Sequence, residues 1–132
     1  MDCIFCKIAK KDIQSHIVYE DEKYFAFLDI NPRNPGHTLV IPKKHYRWVW
    51  DIKDIESYYK IVGKVANAIR KALNTDWVVS LVLGEEIPHA HVWLVPRFKD
   101  DGHGNAIKFD NIKQISKEEM TKIAEKIRKF IK

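Results

Sequence analysis

The strongest constraint on the fold is a change of period along the chain. From Asp51 to Asn74 the residues Ile52, Ile55, Tyr59, Val62, Ala66, Ile69 and Leu73 recur every three or four positions, one face of an amphipathic helix. Asp51 can cap its start and Asn74 its end. On both sides of it the apolar residues come instead in short runs of strand type. His16–Glu20 and Tyr24–Asp29 flank the charged turn Asp21-Glu22-Lys23, which is a hairpin pattern. The stretch Asn31-Pro32-Arg33-Asn34-Pro35-Gly36 is turn chemistry and delivers the chain into a third run, His37–Pro42. Beyond the helix, Trp77–Leu83 and His89–Val95 are joined by Gly84-Glu85-Glu86-Ile87-Pro88, a second hairpin candidate. One long helix between two groups of strands predicts an α+β fold with an antiparallel sheet of about five strands, not an alternating parallel one.

The two ends complete this plan. Residues 2–10 read as a short helical turn with Ile4, Phe5 and Ile8 on one side. Residues 99–114 read as a long polar loop. Ser116 then opens a last helix with Glu119 three residues on, a capping box, and Met120, Ile123, Ile127 and Phe130 form its apolar face. With 132 residues, no repeats and no linker, the expectation is one domain over 1–132, with 98–132 a C-terminal loop and helix extension. No apolar run approaches the roughly 20 residues of a membrane span, and MDCIFCKIAKKD lacks the basic start and apolar core of a signal peptide. A cytoplasmic protein without membrane contact is expected. The net charge of +5 is spread along the chain, which suits small polyanionic substrates and makes nucleic acid an unlikely partner. Cys3 and Cys6 lie three apart and can meet as metal ligands or as a redox pair.

The stretch Pro88-His89-Ala90-His91-Val92-Trp93-Leu94-Val95-Pro96-Arg97 carries the chemistry. On a strand, His89, His91, Trp93 and Val95 share one face, roughly 6.5–7 Å from one to the next, while Ala90, Val92 and Leu94 face a core. Alone, two histidines at i and i+2 signal little. Together with Cys3-Ile4-Phe5-Cys6-Lys7-Ile8, Phe25-Ala26-Phe27-Leu28-Asp29-Ile30-Asn31-Pro32 and Gly36-His37-Thr38-Leu39-Val40-Ile41-Pro42-Lys43-Lys44-His45, the stretch resembles the histidine triad family over about residues 2–97.

That resemblance implies an α+β protomer paired into a homodimer with a continuous sheet. It also implies binding of purine nucleotides such as AMP, with a nucleoside phosphoramidate or a dinucleoside polyphosphate as substrate and hydrolysis or transfer of the nucleoside monophosphate group. His91 would attack the α-phosphorus to give a nucleotidyl-histidine intermediate, with Nδ1–H on a backbone carbonyl and Nε2 free. His89, His37 and Trp93 would complete the catalytic set. Asp29 would accept from the ribose hydroxyls, and Phe5, Ile8, Leu28 and Ile30 would sandwich the base. Cys3, Cys6, His45 and His89 match a structural zinc site of some bacterial and archaeal members, a donor set that suits tetrahedral zinc.

Two features depart from the family pattern. Trp93 stands where the third histidine belongs, and an indole offers one N–H and no acid. The galactose-1-phosphate uridylyltransferase branch tolerates glutamine there and still forms the covalent intermediate. The connection before the histidines is also short, with Glu85 and Glu86 in the positions nearest a phosphate. The competing reading is a nucleotide-binding protein in which Trp93 has blocked turnover. Trp48, Trp50, Tyr58 and Tyr59 are more aromatics than a small monomer usually displays, and a two-fold interface would bury them.

Overall fold

A computed structural model describes residues 3–131. Helix α1 (Ile4–Ala9) leads into strands β1 (Ile17–Glu20), β2 (Tyr24–Leu28) and β3 (Thr38–Pro42). Helix α2 (Ile55–Ala72) follows a single 3-10 turn at Val49–Asp51, and β4 (Val78–Val82), β5 (Val92–Pro96) and α3 (Lys117–Lys129) complete the chain. The five strands form one antiparallel sheet in the order β1-β2-β3-β5-β4. The expected α+β class and strand number are what the structure shows.

Period-two alternation divides the central strands between two cores. Tyr24, Ala26, Leu28, Val40, Ala90, Val92 and Leu94 face α2 and α3. Phe25, Phe27, Leu39, Ile41, Trp93 and Val95 face α1, where Cys3, Phe5 and Ile8 cover them. Strands β2, β3 and β5 are therefore buried along their whole length. Leu28 was expected against a base beside Phe5, but it lies in the helix-side core. Its place on the α1 side belongs to Phe27, whose ring meets Phe5 edge-on at 5.5 Å.

Helix α2 starts later than its apolar period suggests. Asp54 caps it by accepting from the Ser57 N–H, whereas Asp51 accepts from the Trp48 N–H and closes the 3-10 turn. Asn74 ends it with a φ of 53°, a left-handed value asparagine tolerates. The buried stripe runs through Tyr58, Ile61, Val62, Val65, Ala68, Ile69 and Ala72, wider than expected because both the sheet and α3 cover this helix. Tyr58 is accordingly a core residue, not an interface one: it is fully buried and its hydroxyl donates to the Val40 carbonyl at 2.6 Å. Trp48 and Trp50 do remain exposed.

Ser116 caps α3 through the Glu119 N–H as expected, and Met120, Ile123, Ala124 and Ile127 join the core shared with α2. Phe130 falls on the last turn's outer side and is exposed, as is Ile4 of α1. The polar segment between β5 and α3 is tied down by charge. Arg97, 1 % exposed, donates from Nε and Nη2 to both oxygens of Asp101, and that guanidinium holds the Asp101 carboxyl far below the usual carboxylate range. Asn34 Nδ2 donates to the same carboxylate and to the Pro96 carbonyl, while His103 Nε2 donates to the Arg33 carbonyl. The segment thus lies over the Asn31–His37 turn of its own chain. Gly36 makes that turn possible: its φ is 88°, and a Cβ there would stand 2.2 Å from Leu73 Cδ1. Among the described residues, no helix is long and apolar enough to cross a membrane.

Candidate active site and metal centre

The sheet brings three distant segments to the N-terminal end of β5. Cys3 and Cys6 bracket the first turn of α1, where the Cys3 sulfur also accepts from the Cys6 N–H at 3.4 Å. His45 follows β3, and His89 precedes β5. Ala90 N–H donates to the Tyr46 carbonyl at 2.7 Å, which fixes the last two segments against each other. The sulfurs of Cys3 and Cys6 lie 3.3 Å and 3.4 Å from His89 Nδ1, and Cys6 Sγ lies 3.4 Å from His45 Nδ1. All four ligand atoms fall within 4.8 Å of one another. Bonds of tetrahedral zinc to sulfur and nitrogen place such atoms about 3.3–3.8 Å apart.

The chemistry of the donors fits as well. His89 Nε2 faces the Pro42 carbonyl at 2.8 Å, so the proton sits there and Nδ1 presents its lone pair. Burial pushes the His89 pKa down to about 4, which keeps the ring neutral. Burial, then the Cys3 sulfur beside it, pushes the Cys6 thiol up to about 11; a cation between the sulfurs reverses that by favouring both thiolates. Cys3, Cys6, His45 and His89 form a metal site of the Cys2His2 type.

His91 is the next residue of the same face. Its Nδ1 lies 2.7 Å from the His89 carbonyl, an acceptor only, so Nδ1 carries the proton and Nε2 the lone pair. The strand itself begins only at Val92; His89 and His91 lie on the extended segment before it, where the His89 carbonyl is free to take this bond. Phe5 packs edge-on against His91 at 5.0 Å. Burial lowers the His91 pKa, and the charge of Arg47 lowers it further. A neutral, oriented imidazole with a free Nε2 is a nucleophile at neutral pH.

Trp93 does not extend toward His91's neighbours at the metal end. Its ring packs at 4.5 Å from the His37 ring, with the Arg33 guanidinium 4.9 Å above it and Phe109 at 5.6 Å on its edge. His37 Nδ1 accepts from the Arg33 N–H at 3.1 Å, which leaves the proton on Nε2, 3.6 Å from Asp29 Oδ2. Asp29 also accepts from the Asn31 N–H, and burial raises its pKa. Ile30 is 75 % exposed at the rim, Ile8 is buried on α1, and Glu85 and Glu86 point outward from the short connection. The sequence reading missed Phe27, Arg33 and Phe109. Phe27 was hidden because both faces of β2 are apolar; Arg33 and Phe109 sit in turn and loop sequence with no period to place them.

His37 yields a pH prediction. Burial, with Arg33 and His103 nearby, holds its pKa down at about 3, against an ordinary value of 6.5. The unfolded chain therefore binds a proton below pH 6.5 that the folded chain refuses, so stability falls as pH drops from about 6.5 toward 3 and is unaffected by this group above 6.5. The share of His37 is up to about 1.4 kcal/mol per pH unit. Melting curves between pH 7 and 4.5 (about the range before general acid unfolding) should show a shallower slope for His37→Gln than for the wild type.

Comparison with known proteins agrees with the geometry. The HIT domain family matches residues 10–100. This chain belongs to the HIT family. An uncharacterized HIT-like protein of Methanocaldococcus jannaschii is 40% identical over 126 residues, covering 91% of this chain and 96% of that protein. The adenosine 5'-monophosphoramidase of Saccharomyces cerevisiae is 32% identical, with 92% and 82% covered. Among solved structures, a hypothetical histidine triad nucleotide-binding protein of Sulfolobus tokodaii superposes with a TM-score of 0.84 at 33% identity, over 98% of this chain and 91% of that one. A zinc-bound histidine triad family protein of Mycobacterium smegmatis does so with a TM-score of 0.78 at 28% identity, over 99% and 94%.

Proposed function

We propose that this HIT protein is a nucleotide hydrolase or transferase that cleaves the bond between the α-phosphorus of a purine nucleoside 5′-phosphate conjugate and its leaving group, with His91 as nucleophile. The observation that carries the reading is the 2.7 Å bond from His91 Nδ1–H to the His89 carbonyl, which aims the free Nε2 away from the backbone. The name of the yeast relative, an adenosine 5'-monophosphoramidase, supports a phosphoramidate as substrate class. Asp29 receives the ribose hydroxyls, and Phe5, Phe27, Ile8 and Ile30 hold the base.

In the first step Nε2 bonds to phosphorus and the phosphorus–nitrogen bond breaks, its electron pair leaving with the amine. The imidazolium so formed keeps Nδ1–H on the His89 carbonyl, which stabilises its positive charge. The departing nitrogen takes a proton from water, since the Trp93 indole has no acid to give. In the second step water attacks phosphorus, the Nε2–phosphorus bond breaks, the nucleoside monophosphate departs and a proton goes to solvent. Zinc held by Cys3, Cys6, His45 and His89 would tie down the segment whose His89 carbonyl orients His91.

A dimer belongs to this reading. β4 is an edge strand only half buried in the single chain, with Trp48, Trp50 and Trp77 exposed; sedimentation at twice 15.6 kDa checks it.

The test is release of AMP and ammonia from adenosine 5′-phosphoramidate by the wild-type protein. Tight AMP binding without release favours the second reading, a nucleotide-binding protein, to which Trp93 at the place of a proton donor points. The missing acid makes a specific prediction for Trp93→His. Turnover of the phosphoramidate, a poor leaving group, should rise by about 100-fold, the low end of general acid catalysis. Turnover of a nitrophenyl ester of AMP, which needs no proton on leaving, should change by only a few fold. Equal effects on both substrates would exclude a proton-donor deficit at position 93.

A further inference from the structure

The residues of the site account for base, ribose, nucleophile and metal, but they leave the phosphoryl group itself without a partner. The connection Gly84-Glu85-Glu86-Ile87-Pro88 offers no side-chain donor, and its two exposed carboxylates repel an anion. A cation, Arg47, is anchored to this connection instead. The Ala90–Tyr46 backbone bond ties the segment that carries Arg47 to the segment that carries His91. Arg47 Nη1 donates to the Gly84 carbonyl at 2.6 Å, and its guanidinium lies 3.7 Å over the Trp48 ring. Gly84 is two residues past Val82, which pairs with Val92, so the guanidinium is anchored at the hairpin end that carries His91. The cradle is fitted closely: a Cβ on Gly84 would stand 2.9 Å from the Trp48 ring and 3.5 Å from Arg47 Nη1. A guanidinium presents five N–H groups in a fixed fork that matches phosphate oxygens, and the Gly84 bond engages one of its nitrogens.

We propose that Arg47 is the phosphate-binding residue of this site: seated between the Gly84 carbonyl and the Trp48 ring, it receives the non-bridging oxygens of the phosphoryl group that faces His91. It replaces a donor-bearing loop with a single preorganised cation. The proposal rests on the reading of His91 as directed at phosphorus. It adds a preference: a nucleotide with a free anionic phosphoryl is bound over the bare nucleoside, and neutralisation of charge at phosphorus grows as the attacked group gains negative charge.

The experiment compares AMP with adenosine, which lacks the phosphate, by calorimetry on the zinc-loaded protein. The wild type should prefer AMP. Arg47→Gln, which can still donate to Gly84, should weaken AMP by about 10- to 100-fold, the range of a lost charge-assisted pair, and leave adenosine within about twofold. Arg47→Lys, keeping the charge without the fork, should recover part of the loss and serves alone if Arg47→Gln does not fold; it should then bind AMP about tenfold more weakly than the wild type. Equal losses for AMP and adenosine would show a bracing role for the loop and overturn the proposal, as would unchanged AMP affinity in either folded variant or a wild type that does not distinguish the two ligands. AMP preference that depends on Arg47 in a protein that releases no AMP from the phosphoramidate would overturn the hydrolase reading alone.

Discussion

His91→Ala should lower turnover of adenosine 5′-phosphoramidate by about 10⁴-fold or more, because it removes the atom that bonds to phosphorus and leaves only positioning of a water. AMP affinity should stay within a few fold of the wild type. Phe5 lies on α1, Phe27 near the end of β2 and Asp29 just past it, and of these three only Phe5 loses a contact with the imidazole. His91→Gln should be equally inactive, since an amide can fill the space and accept hydrogen bonds but does not attack phosphorus. Side-by-side initial rates and AMP titrations decide it. A drop in rate matched by an equal drop in AMP affinity would assign His91 to binding instead.

Cys3→Ser should release the metal and lower the melting temperature by about 10 °C or more, with a stability loss of at least about 3 kcal/mol. Cys3 comes from the N-terminal turn, His45 from the segment after β3 and His89 from the approach to β5, so a metal would join α1 to two segments that are already tied to each other by the Ala90–Tyr46 backbone bond. The hydroxyl of serine is a poor zinc ligand, and the half-buried Cys6 and His45 and the buried His89 are then left without their cation. Turnover should persist in part, since His91 and its bond to the His89 carbonyl are not ligands. Metal analysis of protein purified without histidine tags should find one zinc per wild-type chain and much less in the variant. Zinc well below one equivalent in the wild type, with an unchanged melting point for Cys3→Ser, would remove the metal site.

The alternation of His89, His91 and Trp93 against Ala90, Val92 and Leu94 was legible because only one of those faces carries polar residues. The four metal ligands were legible from family resemblance and are brought together by the sheet. Leu28 was misplaced for a physical reason: β2 is buried on both sides, so the pattern that separates faces elsewhere disappears, and Phe27 and Leu28 look alike. Tyr58 was read as surplus surface aromatic because sequence cannot show that a single core carbonyl, that of Val40, takes its hydroxyl. The Arg97–Asp101–Asn34 network was invisible in a stretch that reads only as polar loop; its members are 4 and 67 residues apart and meet through a turn made by Gly36. Trp93 was readable as a departure, but not its enclosure by His37, Arg33 and Phe109, which depends on where residues 98–115 lie.

The most direct test of the account is to mix the protein with adenosine 5′-phosphoramidate, quench in alkali within the first turnovers, and map the digested protein by mass spectrometry. Histidyl phosphoramidates survive alkali, so a covalent intermediate should appear as one AMP moiety on the peptide that contains His89 and His91, with fragmentation placing it on His91 and no adduct in His91→Ala. AMP release at the wild-type rate with no adduct on that peptide, and undiminished release by His91→Ala, would contradict nucleophilic attack by His91.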